Sequence, residues 1–168
     1  MKLRLKRPTA GFNVVLVEPE IPQNTGNIGR LCVATSSTLH LVGPLGFEVD
    51  EKAVRRAGLD YWHLVDVRRH ADLAQCLSAA GVRETLVFTA NTGRSYLEAP
   101  YAPGAALVFG GESRGLAESV LDAHRDRLYA IPTCESSVRS LNLANAAAIV
   151  LYEALRACGL LADLEVEP

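Results

Sequence analysis

Four short stretches carry the residue types that could bind and orient a polar ligand. Asn24-Thr-Gly-Asn-Ile-Gly-Arg30 sets two carboxamides and a guanidinium around two glycines, and Thr89-Ala-Asn-Thr-Gly93 supplies hydroxyls and a carboxamide. Gly110-Gly-Glu-Ser-Arg-Gly115 places an acid, a hydroxyl and a guanidinium between glycines, and Glu135 to Ser140 gathers hydroxyls, a carboxylate and Arg139 in an irregular run. Gly26 and Gly29 remove side chains from one face, so backbone or ligand can come close there. Several chemistries drop out. The dinucleotide fingerprint G-x-G-x-x-G and the phosphate loop G-x-x-x-x-G-K-[ST] are both absent. Ser113 lacks the G-x-S-x-G setting and an adjacent base, which argues against a hydrolase elbow. Cys32, Cys76, Cys134 and Cys158 form no C-x-x-C pair and have no histidine at ligand spacing, so neither a metal site nor a disulfide framework is expected. His40, His63, His70 and His124 are isolated in sequence and read as surface or packing residues.

The elements that must position these stretches follow from hydrophobic period. Phe12 to Val17 is a nearly all-apolar, β-branched run, as expected of a strand buried on both faces of a parallel sheet. Pro22 to Ala34 reads as a loop entering a helix, with Asn24 or Thr25 as cap, Ile28, Leu31, Cys32 and Thr35 on the inner stripe, and Arg30 one position past it. Leu39 to Val42 is a second strand and Asp50 to Ala57 a charged helix; Tyr61 to Val65 is a candidate third strand, and Ala71 to Ala80 a helix. Thr85 to Thr89, Ala105 to Phe109 and Arg127 to Ile131 complete the strands. Leu143, Ala147, Val150, Leu151, Ala154, Leu155 and Cys158 then line one stripe of the longest helix, with Ser140 placed to cap it and Gly159 to end it. Ala148, Ile149 and Tyr152 make its other face apolar, which predicts a subunit interface. Strands alternating with helices give an open α/β sheet with helices on both faces, whose ligands bind at the carboxyl ends of the strands. Thr89 to Gly93, Gly110 to Gly115 and Ile131 to Ser140 all lie at such ends.

A chain of 168 residues, 49% hydrophobic, fits one domain spanning 1–168, with a basic extension at 1–11 and an acidic tail at 160–168. No apolar run reaches the length of a membrane span and no signal-peptide core follows the basic start, so a soluble, cytoplasmic protein is expected. A net charge of −2 argues against a strongly cationic nucleic-acid binder while leaving room for local patches such as Lys2 to Arg7, Arg55/Arg56 and Arg68/Arg69.

Taken together, Asn24 to Arg30, then Phe109-Gly-Gly-Glu-Ser-Arg-Gly-Leu116, then Ile131-Pro with Arg139-Ser-Leu-Asn-Leu-Ala-Asn145, resemble the three motifs of SPOUT-class RNA 2′-O-methyltransferases, in order and at family spacing. The resemblance covers about residues 12–160 and is strongest to compact members acting on the ribose of tRNA nucleotide 34, because Glu18-Pro-Glu-Ile-Pro-Gln-Asn24 and Arg55-Arg-Ala-Gly-Leu-Asp-Tyr61 also match. Gly111, where relatives often carry proline, Gly29, in place of an apolar residue, and the basic N-terminal extension depart from the pattern. The resemblance implies a C-terminal trefoil knot in a mostly parallel α/β sheet, a homodimer, S-adenosylmethionine as methyl donor and tRNA as substrate, beside the absence of membrane and metal expected from hydropathy and from cysteine and histidine spacing. It further implies Arg30 as the catalytic residue. Thr89, Gly110, Glu112, Ile131, Ser140, Leu141 and Asn145 would bind the cofactor, and Asn24, Arg55, Arg56, Arg114 and Arg139 the RNA. The rival readings are the same chemistry on another tRNA or rRNA ribose, and a non-catalytic RNA- or cofactor-binding knot.

Overall fold

The computed structural model describes residues 1–6, 10–47, 61–134, 139–162 and 164–167. Six parallel strands form the sheet: β2 (Asn13–Val17), β3 (Thr38–Val42), β4 (Val67–His70), β5 (Thr85–Phe88), β6 (Ala106–Phe109) and β7 (Leu128–Tyr129), in the spatial order β4-β3-β2-β6-β5-β7. The apolar runs of β2, β3, β5 and β6 occupy the interior, and the charged VRRH sequence of β4 takes an edge, where Arg68 and Arg69 are exposed. Charged side chains on an edge strand discourage pairing with another sheet.

Both faces are covered, which is why the central strands carry apolar residues on both sides, with His40 of β3 a buried polar exception. Val14, Leu16, Leu39, Leu41, Leu107 and Phe109 point into one core with Ile28 and Cys32 of α1 (Pro22–Thr35). The same core receives Leu143, Ala147, Val150, Leu151, Ala154 and Leu155 of the C-terminal helix, which spans Leu143–Ala157. Val15, Val42, Val87 and Val108 point the other way, into a core closed by Cys76 of α2 (Leu73–Ala79) and by Leu121 of α3 (Glu118–Ala123). The long C-terminal helix is therefore α4. The buried stripe of α4 is the one its periodicity predicts, and Gly159 follows its end at φ 72°.

The helix starts differ from expectation. Helix α1 begins at Pro22, after Ile21, because proline at the first helical position gives up an N–H that would have no partner in any case; Asn24 and Thr25 lie inside the helix. Helix α4 is capped by Asn142, whose Oδ1 accepts from the N–H groups of Ala144 and Asn145, and Ser140 lies two residues outside. Tyr61 to Val65 contains a single 3₁₀ turn, Trp62–Leu64, and the third strand is instead β4, masked in the sequence by its arginines. The expected helix at Asp50 to Ala57 lies outside the described residues.

The two chain ends, expected as separate basic and acidic tails, pair with each other. Strands β1 (Lys2–Leu5) and β8 (Leu164–Glu167) form an antiparallel ribbon in which Lys2 faces Glu167 and Arg4 faces Glu165, while Leu3 faces Val166 and Leu5 faces Leu164. The alternation of charge and leucine or valine in both segments fixes this register, since a slip of one residue would set a charged side chain against an apolar one at every rung.

Sheet order also locates the functional end. From β2 the chain winds outward through α1 to β3 and β4, then crosses to β5 and returns to β6 beside β2. The direction of winding reverses between β2 and β6, and a crevice opens at the carboxyl ends of such neighbouring strands.

Candidate active site

At that reversal the segments after β2 and β6 hold each other through a reciprocal pair of carboxylates. Glu112 Oε2 accepts from the Glu20 N–H at 2.7 Å, and its Oε1 accepts from the Ile21 N–H at 3.2 Å and from Asn24 Nδ2 at 2.9 Å. In return the Glu20 carboxylate accepts from the Ser113 N–H at 3.1 Å and from the Ser113 hydroxyl at 2.6 Å. The Ser113 hydroxyl and N–H, with the positive charge of Arg114 behind them, hold the Glu20 carboxyl below its ordinary pKa. An anion at Glu112 also suits the start of α1, where unpaired N–H groups and the helix dipole concentrate positive potential.

The same network reaches the third motif. Asn24 is 5% exposed, and its Oδ1 accepts from Asn142 Nδ2 at 3.0 Å while its Nδ2 serves Glu112. Asn142 in turn caps α4. One chain of hydrogen bonds thus runs from the loop after β6, through the first turn of α1, to the N-terminus of α4. Two glycines let the loop after β6 close on itself and lie against the segment after β2. A Cβ on Gly110 would lie 2.2 Å from the Gly115 carbonyl carbon, and one on Gly111 would lie 2.5 Å from the Glu18 carbonyl oxygen, both rigid backbone. Gly110 is therefore required by the loop's own closure.

Arg30 projects from the exposed side of α1, with its guanidinium carbon 5.2 Å from the centre of the Tyr61 ring. Tyr61 is itself tied to α1 by a hydrogen bond from its hydroxyl to the Gly26 carbonyl at 3.1 Å. A cation held over an aromatic face is oriented without being neutralised, so its charge remains available. Gly29 makes the neighbouring contact, since a Cβ there would come within 2.7 Å of the Trp62 ring.

The expected cofactor loops lie at the ends of β5, β6 and β7. Thr89 donates its N–H to Tyr129 and its hydroxyl oxygen accepts from Asn91, which shapes the turn; Ile131 and Leu141 are half-buried, and Ser140 and Asn145 are exposed. Among the described residues, no Cβ added at Gly93 or Gly115 would meet an atom within 4 Å. Arg114 and Arg139 are exposed, as RNA contacts require, whereas Asn24 is committed to the internal network. Arg55, Arg56 and the stretch 135–138 lie outside the described residues. Asn142 was not singled out from the sequence, although a carboxamide just before an apolar-periodic run is itself a capping signal.

Glu112→Gln places an amide nitrogen against N–H donors and breaks the link between the two loops. The expected loss of stability is about 1–3 kcal/mol in urea unfolding, the cost of unpairing donors from a charged acceptor. A variant as stable as the parent would show that the carboxylate does not hold these loops together.

Comparison with known proteins agrees with this arrangement. The SpoU rRNA Methylase family matches residues 11–152. A tRNA (cytidine(34)-2′-O)-methyltransferase of Escherichia coli K12 is 45% identical over 149 residues, covering 88% of this chain and 94% of that protein. One from Methylovorus glucosotrophus is 43% identical, covering 86% and 94%. Among solved structures, one described as giving insight into 2-OH methylation of C/U34 on tRNA superposes with TM-score 0.77 at 45% identity, covering 88% of this chain and 95% of that one. The SpoU methyltransferase AviRb of Streptomyces viridochromogenes, in complex with AdoMet, has TM-score 0.72 at 28% identity, covering 89% and 62%. With three motif loops converging at the switch point of a parallel sheet, and a family match spanning most of its length, the chain belongs to the SpoU methylase family of RNA methyltransferases.

Proposed function

We propose that the protein methylates the ribose 2′-hydroxyl of tRNA nucleotide 34, the wobble position, using S-adenosylmethionine in the cytoplasm. The observation that carries this reading is the Glu112–Asn24–Asn142 network, which draws all three motif segments to one end of the sheet. The names of the relatives, at 43–45% identity over nearly their whole length, supply the substrate. The side-chain-free positions at Gly93 and Gly115, in two of these loops, and the half-buried Ile131 and Leu141 of the third segment, suit an adenosine lying between backbone loops. Bound there, S-adenosylmethionine would supply an electrophilic methyl group. The residues Thr89, Gly110, Glu112, Ile131, Ser140, Leu141 and Asn145 would form or brace that pocket, with Glu112 acting through the loops it joins.

A guanidinium remains protonated at neutral pH, so Arg30 is assigned to stabilising the developing alkoxide and orienting the adjoining phosphate. Tyr61 positions it. Alignment of two bound reactants can itself contribute about 7–11 kcal/mol to lowering the barrier. We further infer a trefoil knot. It is supported by the loop after β5 lying against the chain that leaves β7, where Tyr96 donates to the Ala130 carbonyl and Ala130 to the Arg94 carbonyl, before the chain passes to α4. A homodimer is supported by Ile149 and Tyr152, which are 37% and 44% exposed on the outer face of α4. The proposed RNA surface comprises Arg114, Arg139, Arg55 and Arg56, with Asn24 placed behind it as an organiser.

Arg30→Ala is expected to abolish 2′-O-methylation of position 34, mapped in tRNA, while calorimetry shows nearly unchanged cofactor affinity; normal turnover would refute the assignment. Sedimentation at micromolar concentration is expected to give twice the chain mass, and a monomer would remove the dimer. Log affinity for tRNA should fall with log salt by roughly 0.7–0.9 per phosphate contacted. Arg114→Glu with Arg139→Glu should flatten that slope, and an unchanged slope would locate the RNA elsewhere.

A further inference from the structure

Residues far apart in sequence, and expected there to be unrelated, meet on the α2 face of the sheet. His40 of β3, His70 at the end of β4 and Cys76 of α2 bring one ligand atom each to within 4.8 Å of one another. His40 and Cys76 are fully buried, at 0% exposure, and His70 is half-buried, so the cluster has an inner wall and one side open to water.

The hydrogen bonds define which nitrogen is available. Asn13 Nδ2 donates to the Gly104 carbonyl at 2.8 Å, which turns its Oδ1 toward His40 Nε2 at 2.9 Å. An amide oxygen only accepts, so His40 carries its proton on Nε2, and Nδ1 presents a lone pair. That lone pair lies 3.0 Å from His70 Nε2. Metal-binding histidines commonly show this arrangement, one nitrogen facing the ligand site and the other donating to a fixed oxygen that sets tautomer and ring orientation.

We propose that His40 Nδ1, His70 Nε2 and Cys76 Sγ form a zinc site that pins the edge strand β4 and helix α2 to β3, with the fourth position open on the His70 side. In a tetrahedral zinc site, ligand nitrogens lie about 3.3 Å apart and nitrogen to sulfur about 3.6 Å, so the cluster closes on an ion with small side-chain adjustments. Nitrogen and sulfur donors together favour zinc over magnesium or calcium. Binding replaces the His40–His70 hydrogen bond: His70 moves its proton from Nε2 to Nδ1, and Cys76 releases one proton as its sulfur bonds the metal. The nearby cation Arg68 is paired with Asp66 at 3.0 Å, which moderates its repulsion of the ion.

The test uses the purified full chain stripped with chelator and titrated with Co²⁺ as a spectroscopic substitute, then with Zn²⁺ followed by elemental analysis after dialysis. The expected result is one ion per chain, a thiolate-to-cobalt charge-transfer band with tetrahedral d–d bands, and a zinc-dependent rise in melting temperature. Cys76→Ser and His70→Ala should each lose the band and the thermal shift, while Cys134→Ser and His63→Ala retain them. Asn13→Ala should weaken binding about 10–100-fold, as loss of an orienting partner does. The absence of a charge-transfer band in the parent chain, or a band lost on Cys134→Ser and kept in Cys76→Ser, would overturn the site.

Discussion

The Glu112 carboxylate is the point on which the functional end of this molecule depends. Strands β2 and β6 are neighbours in the sheet but far apart in sequence, and nothing in their ladder controls how the loops beyond them turn. Control comes from one anion that accepts the N–H groups of Glu20 and Ile21 and the amide of Asn24. The hydrogen bonds are charge-assisted, stronger than bonds between neutral groups. Because Asn24 passes the constraint to Asn142, the first turns of α1 and α4 are set by a single network, and the α1–α4 packing beneath it has a defined register.

Rigidity of this kind comes from glycine as much as from charge. The close approach of 110–115 to 18–21 exists because Gly111 presents no side chain to the Glu18 backbone, and the loop closes on itself because Gly110 presents none to Gly115. A pocket formed from backbone loops at strand ends keeps its shape when surface side chains change. That shape can be inherited by relatives that recognise different RNA.

Much of the fold was legible because burial imposes period. The strands at Asn13–Val17, Thr38–Val42, Thr85–Phe88 and Ala106–Phe109 are apolar runs of the expected length, and the buried stripe of α4 follows its heptad-like spacing. What sequence concealed was set by tertiary context. Strand β4 reads as a basic patch because one edge of it faces water. Pro22 moves the start of α1 ahead of the polar residues that resemble caps, and Asn24 becomes internal because a carboxylate from another loop arrives to meet it. The motif loops were recognisable as such, but the division of labour within them was not: Glu112 and Asn24 spend their polar atoms on each other, on the 20–21 backbone and on Asn142. The meeting of His40, His70 and Cys76 has no local signature at all, since it depends on the β3–β4 register and on how α2 crosses it.

The ribbon of β1 and β8 gives the chain an unusual mechanical layout. Lys2 pairs with Glu167 at one end of the ribbon and Leu5 with Leu164 at the other, so both termini leave from the same rung. A pull on the two ends would load the rungs one after another, in the manner of a zip, rather than shearing all of them together. Tension would therefore be spent opening the ribbon before any of it reached the parallel sheet.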